Sequence, residues 1–460
     1  MMTADDVREA TLALIPRARR DLAQLVALRS VADPAWPDRE DCGKAARLVA
    51  GLFRAAGLRE ATLHDTPDGS KAVIARAPAP DGCPTILLYC HYDVQPVPDP
   101  AEWLTPPFEL TESGGRWYGR GAADCKGNIV AHLTALRALG APALPAGVIA
   151  VAEGSEEQGT GGLEALVTAN PDLVRADAIL VCDAGNIAAG TPTVTTTLRG
   201  ITNVTVHVES MAGPVHSGVL GGPAPDALAA LIRILSTLRD ERGNTSIRGL
   251  DQSQVWRGGG TYPESRFRAD AGVLDGVGLL GDGTVADMLW ARPAVTVLGI
   301  DCPAVSGAPV TVQAKASALV SLRIPPGTGA VQAQDKLVAH LIAAAPWGVR
   351  IHVERDLPDA AFAARTDGPA YRVLAQAMKD AYGADMVTAG DGGSIPLCEI
   401  FQRACPAAEI AILGVEDAKA GIHGPNESVD PGEIARIAQV EALFIQRYPA
   451  ARQLRAGNAP

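Results

Sequence analysis

Four short apolar runs, at residues 85–90, 147–152, 178–182 and 409–413, limit what this chain can fold into more than any other feature. Each has the length of a strand and lacks the alternation of a half-exposed one, and stretches of helical periodicity lie between them. Runs of this kind suit strands buried on both faces, so the pattern predicts a mainly parallel sheet in an α/β domain. Helical periodicity at 8–28 and 42–56, the latter ending at Gly57, predicts helices that cover the sheet.

From about residue 195 the texture changes. Segments 201–209 and 316–324 alternate strictly between apolar and polar, with amphipathic segments at 225–238 and 331–345. That is the signature of a separate α+β layer with an antiparallel sheet. Segments 369–382, 409–413 and 431–448 return to the first texture. The expected organisation is therefore a catalytic domain in two parts, 1–195 and 363–460, interrupted by an inserted domain at 196–362. A length of 460 residues agrees with two cores.

In open α/β sheets, functional groups gather beyond the carboxyl ends of the strands. Here the first run leads into His91-Tyr92-Asp93, the second into Glu153-Gly154-Ser155-Glu156-Glu157, and the third into Asp183. Asp124 lies in a glycine-rich loop, 119–127, that opens a predicted helix near Asn128 and reaches the same edge. One strand-end Asp alone is commonly a cap or turn residue. Several acids with a histidine at one edge repel one another unless a cation neutralises them, and this donor mixture suits zinc.

Composition narrows the function further. Net charge is −12 with acids and bases interspersed, so there is no basic footprint for nucleic acid. The first residues lack a signal-peptide pattern, and no apolar stretch is long enough to span a bilayer, so a cytoplasmic enzyme without membrane partners is expected. Eight cysteines without CxxC spacing read as free thiols; Cys90, Cys125 and Cys182, each beside a proposed ligand, read as packing residues.

His91-Tyr92-Asp93-Val94-Gln95-Pro96, Trp103 with Pro107-Phe108, Tyr118-Gly119-Arg120-Gly121 through Asp124-Cys125-Lys126-Gly127, Glu153 to Gly159, and Gly421-Ile422-His423-Gly424-Pro425-Asn426-Glu427 occur in that order. Together they resemble the di-zinc aminoacylase, carboxypeptidase and dipeptidase superfamily, especially its carnosinase-like cytosolic dipeptidases. The resemblance implies a zinc-hydrolase domain carrying an inserted lid or dimerisation domain. It implies two Zn2+ per subunit, with Mn2+ or Co2+ as substitutes, bridged by Asp124. One ion would be completed by His91 and Asp183, the other by Glu157 and His423. Asp93 would orient the His91 ring, and the Asp124–Cys125 peptide would be cis. Glu156 would be the general base toward a metal-bridged water.

The same resemblance implies that His216, in Gly213 to Gly222, reaches the partner's site in a homodimer and stabilises the oxyanion. Arg323, with Gly392, Gly393 and Ser394 of the loop 391–396, would hold the substrate's terminal carboxylate. The stretch 309–313 departs from the family pattern, so Thr311 receives no role. His64, His132, His207, His340 and His352 lie outside every match and read as ordinary fold residues. Asp at position 183, rather than Glu, resembles the dipeptidase-type members of the superfamily, which implies hydrolysis of dipeptides or similar small amides. An N-acyl amino acid deacylase is the alternative of the same fold, and a metal-free binding module is the alternative of another class.

Overall fold

The structure is a computed structural model that describes residues 2–36, 39–140 and 144–456. Its contacts divide the chain into two units, Met1–Thr196 with Ala364–Ala389 and Leu397–Pro460, and Thr197–Ala363 with Gly390–Pro396. The segment Gly390–Pro396, placed by sequence with the last catalytic part, thus groups with the inserted unit. The physical reason is local. Arg199 donates its backbone N–H to the Asp391 carbonyl at 3.3 Å and its side-chain Nε to the Gly392 carbonyl at 3.3 Å.

In the first unit the four apolar runs form the middle of the sheet. Gly147–Glu153, Thr85–His91, Ala178–Cys182 and Glu409–Leu413 lie side by side in that order, all parallel. Lys71–Ala77 and Glu60–Asp65 extend the sheet as antiparallel strands. The register sets His91 opposite Glu153 and Leu413 opposite Cys182. The residues that follow these strands therefore emerge together at one edge.

Helices Ala4–Val26, Lys126–Leu139, Pro369–Tyr382 and Pro431–Ala456 pack on one another, while Glu40–Ala55 lies against the two antiparallel strands. Ala4–Val26 starts at a reciprocal cap: Thr3 Oγ1 accepts the Asp6 N–H, and the Asp6 carboxylate accepts the Thr3 N–H. Lys126–Leu139 is buried on nearly every face and stops at Gly140, whose φ of 67° suits glycine. Lys126 has no exposed surface, and its ammonium donates to the Leu25 and Leu28 carbonyls, both at 2.9 Å. The ammonium thus shares two carbonyls at the end of the first helix that also accept the backbone N–H groups of Leu28 and Ser30.

The second unit holds an antiparallel sheet in the order Ala294–Asp301, Lys315–Ile324, Gly200–Glu209, Arg350–Arg355. Gly200–Glu209 alternates strictly between buried and half-buried positions, as its sequence period predicts. Val204, Val206 and Val208 pack under the helices Ala227–Ser236 and Ala330–Ala343. Among the described residues, no helix is long and apolar enough to cross a membrane.

Candidate active site

All five expected metal ligands, together with Asp93 and Glu156, belong to the first unit. His91 is fully buried at a strand end, with Nε2 2.8 Å from Asp124 Oδ1 and 3.1 Å from Asp183 Oδ1. His423 places its Nε2 3.1 Å from the other Asp124 oxygen, Oδ2, and 3.2 Å from Glu157 Oε2. Asp124 therefore lies between two sets, each of one imidazole and one further carboxylate. This donor chemistry fits a pair of divalent cations sharing the Asp124 carboxylate. The Asp124–Cys125 peptide is cis.

Asp93 meets the opposite side of the His91 ring, its Oδ1 3.3 Å from Nδ1, while its main-chain oxygen lies 3.1 Å from the same nitrogen. A proton held there leaves the Nε2 lone pair free for a cation. The Asp93 carboxylate also accepts the backbone N–H groups of Glu156 at 3.2 Å and Glu157 at 3.1 Å. One buried acid thus aligns the His91 ring and the loop carrying Glu156.

That loop has a second anchor absent from the sequence expectations. Asp68 accepts hydrogen bonds from Ser155 Oγ at 2.6 Å, Thr66 Oγ1 at 2.5 Å, the Ser70 N–H at 3.0 Å and the Thr160 hydroxyl. Although burial opposes it, these donors hold its carboxyl well below the usual carboxylate range. Gln95 further donates to Glu157 Oε2 at 2.7 Å. Neither Asp68 nor Gln95 has a local signature, because their partners lie 87 and 62 residues away for the contacts to Ser155 and Glu157.

The electrostatics follow from crowding. Burial pushes Glu156 up to about 9, and Asp183, Asp93 and Glu157 add to the rise against His91. Burial also raises Glu157 and Asp183. Asp124 is lowered instead: burial opposes ionisation, but hydrogen bonds from His423 and His91 overcome it. His423 rises to about 10 through its bonds to Asp124 and then Glu157. A cation would neutralise such a cluster of acids.

Two further groups lie close by. Glu416, absent from the sequence expectations, offers an oxygen within 4.8 Å of ligand atoms of Asp124 and Asp183. Cys125 Sγ lies within the same reach of His91 and Asp183 but donates to the Cys182 carbonyl at 3.0 Å. It and Cys90 and Cys182 are buried free thiols, and none of the eight cysteines is in a disulfide.

The remaining expected residues lie in the second unit. His216 is exposed, and its Nδ1 accepts the Gly218 N–H at 3.1 Å, which leaves the ring proton on Nε2. Its short strand pairs with Thr311–Val312, His216 opposite Thr311. The atypical stretch 309–313 thus braces the histidine's loop. Arg323 is half-buried at the end of its strand. Sequence reasoning missed Arg199, whose buried guanidinium is lowered to about 10, by burial first and then by the neighbouring Arg323, against Asp391. Gly392 lies close under Arg199: a Cβ there would lie 2.8 Å from a terminal nitrogen of that side chain, which would have to shift. Ser394 is half-buried in the same loop, beside Gly393, whose N–H donates to Asp391 Oδ1 at 2.6 Å. A signal for Arg199 existed in sequence, an arginine against Gly200 at the junction of two strands.

Residues 87–447 match the model of peptidase family M20/M25/M40. The chain belongs to that family. It is therefore a hydrolase, a metallopeptidase. It is 44% identical over 444 residues to the cysteinylglycine-S-conjugate dipeptidase of Corynebacterium striatum, covering 95% of this chain and 97% of the relative. It is 26% identical to the mouse (Mus musculus) beta-Ala-His dipeptidase, over 94% of this chain and 88% of the other. In fold it resembles human carnosine dipeptidase 1, with a TM-score of 0.79 at 23% identity, covering 98% and 99% of the two chains. The Saccharomyces cerevisiae dipeptidase Dug1p is similar at a TM-score of 0.78 and 22% identity, covering 97% and 99%.

Proposed function

We propose that this M20 peptidase hydrolyses unblocked dipeptides, with S-conjugated cysteinylglycine among its substrates. The observation that carries the reading is Asp124, whose two oxygens each face a separate histidine and carboxylate, with Glu156 in the adjoining buried loop. Identity of 44% to a cysteinylglycine-S-conjugate dipeptidase supports the substrate class.

Two divalent cations, zinc in this reading, would supply Lewis-acid chemistry, acidifying water and polarising the scissile carbonyl. His91 and Asp183 would hold one, Glu157 and His423 the other, and Asp124 both. Positive charge held beside Glu156 would oppose the burial that raises it and favour its ionised form. Glu156 then takes the proton of the attacking water and returns it to the leaving amine. His216, with its proton on Nε2, is equipped to donate to the developing oxyanion. Arg323 and Arg199 supply paired guanidinium donors for the terminal carboxylate, with the backbone of Gly392 and Gly393 and the Ser394 hydroxyl beside them.

In this reading the enzyme is a cytoplasmic homodimer and His216 serves the partner's site. Eight free thiols support a reducing compartment. The edge strand Ala294–Asp301, with Val297, Leu298 and Ile300 exposed, supports pairing with a second copy.

A panel of free dipeptides, cysteinylglycine S-conjugates and N-acetyl or N-succinyl amino acids tests the function, each assayed with zinc, manganese and cobalt. Free dipeptides are expected to be cleaved, N-acyl amino acids to be left intact, and EDTA to abolish turnover until a divalent ion is returned. The reverse preference, or turnover that survives metal removal, would reject the reading. For His216, mixing the His216→Ala and Glu156→Gln proteins is expected to restore about a quarter of wild-type activity, because half the dimers are mixed and each then has one intact site. Confirmed heterodimers without activity would place the histidine outside the partner's chemistry.

A further inference from the structure

The proposed ligands Asp124 and His423 arrive on loops far apart in sequence, and neither loop is held by a central strand of the sheet. What joins them is a buried ion pair that the catalytic reading leaves unused. Glu427 has no exposed surface, and Arg120 is 2% exposed. The Arg120 guanidinium donates to Glu427 Oε2 at 2.9 Å.

Each partner also grips the backbone of a ligand loop. Glu427 Oε2 accepts the Gly121 N–H at 2.8 Å, and Oε1 accepts the N–H groups of Ala123 at 2.9 Å and Asp124 at 3.1 Å. One carboxylate thus collects three amides of the loop that presents Asp124. The other terminal nitrogen of Arg120 donates to the main-chain oxygen of His423 at 3.3 Å. The guanidinium is itself fixed, lying 5.2 Å from the centroid of the Trp103 ring. Gly121 allows the close approach: its φ is +81°, and a Cβ there would meet Val94 at 2.6 Å. The pairing of Ser428–Val429 with Trp117–Tyr118 zips the same two segments together.

We propose that Arg120 and Glu427 form a positioning pair that sets the separation of Asp124 from His423, and so tunes the metal position shared by Asp124, Glu157 and His423. The position completed by His91 and Asp183 depends on it less, because those two residues end or follow adjacent parallel strands. The proposal rests on the ligand assignment made above. It assigns the pair no contact with substrate; it acts through the backbone of two ligands, as outer partners of metal sites do.

The test is metal affinity, which a role in folding alone does not shift selectively. Metal-free protein is titrated with Zn2+ against a chromophoric chelator, alongside circular dichroism and a melting curve of the metal-free form. Wild type is expected to bind two equivalents, and His423→Ala to lose one of them. Glu427→Gln turns an amide NH2 toward backbone N–H donors, and Arg120→Lys keeps the charge but cannot span Glu427 and the His423 carbonyl together. Both are expected to weaken the equivalent lost in His423→Ala by about 10- to 100-fold, and the other by less than about 3-fold. Arg120→Lys keeps the test decisive if Glu427→Gln fails to fold. A folded variant with both affinities unchanged, or with both reduced alike, overturns the proposal. A wild type without a second equivalent, or a His423→Ala protein that keeps it, removes the ligand assignment and the proposal with it.

Discussion

Replacing Glu156 with Gln is expected to lower kcat by about 10^2- to 10^4-fold while both metal equivalents stay bound. The side chain is close in shape to Glu156 and can still accept a hydrogen bond, but it cannot take a proton. Metal binding should survive because Glu157, not Glu156, meets His423 at 3.2 Å. The loop should survive too, since Asp93 holds it by the backbone N–H groups of residues 156 and 157, which the substitution leaves in place. Steady-state kinetics with metal content measured on the same samples separates the outcomes. Unchanged turnover rejects Glu156 as the base, and a lost metal equivalent moves it into the ligand set.

The second large effect concerns stability. His132 is fully buried, its Nδ1 2.9 Å from both Glu441 oxygens and its Nε2 3.3 Å from the Tyr89 carbonyl. All of these partners are acceptors, so both ring nitrogens donate and the ring is an imidazolium. Burial pulls its pKa down, but the Glu441 charge and the contacts to Cys90 and Glu441 together hold it well above the usual histidine value. Glu441→Leu, which leaves a buried cation without its partner, is expected to cost about 3 to 5 kcal/mol. The double variant His132→Leu, Glu441→Leu should recover much of that loss, because apolar groups of similar volume leave no charge to solvate.

The same pair has a pH signature. With its folded pKa raised, the contribution of His132 is complete below its unfolded pKa of about 6.5 and declines as pH rises, by about 1.4 kcal/mol per unit until the folded pKa is reached. The stability gap between wild type and the double variant should therefore narrow from pH 6.5 upward in urea titrations. A gap independent of pH would show that His132 is not charged in the fold. A Glu441→Leu protein as stable as wild type would show that the pair does not hold the helices Lys126–Leu139 and Pro431–Ala456 together.

What could be read from sequence was whatever is local or has a period. The runs 85–90, 147–152, 178–182 and 409–413 are the four central parallel strands, because a doubly buried strand must be apolar throughout. His91 and Asp183 follow from the strands, since the residue after a parallel strand has one edge to occupy. His132 was passed over as an ordinary helical residue because its partner lies 309 residues along the chain, a separation no local pattern reports. The link from Asp68 to Ser155 was missed for the same reason. The helix after residue 431 runs past the expected end at 448 to Ala456, with Pro449 inside it. One missing backbone donor does not end a helix held by packing on its neighbours.

Asp124 and the glutamate that clamps its backbone are 303 residues apart. During synthesis at ~5 to 20 residues per second, roughly 15 to 60 s pass between the appearance of the first and of the second. The strands that present His91 and Asp183 leave the ribosome early, but the amides of Gly121, Ala123 and Asp124 wait for the Glu427 carboxylate. On the ligand assignment proposed above, a nascent polypeptide would lack this clamp until Glu427 has emerged, and ion capture would follow it.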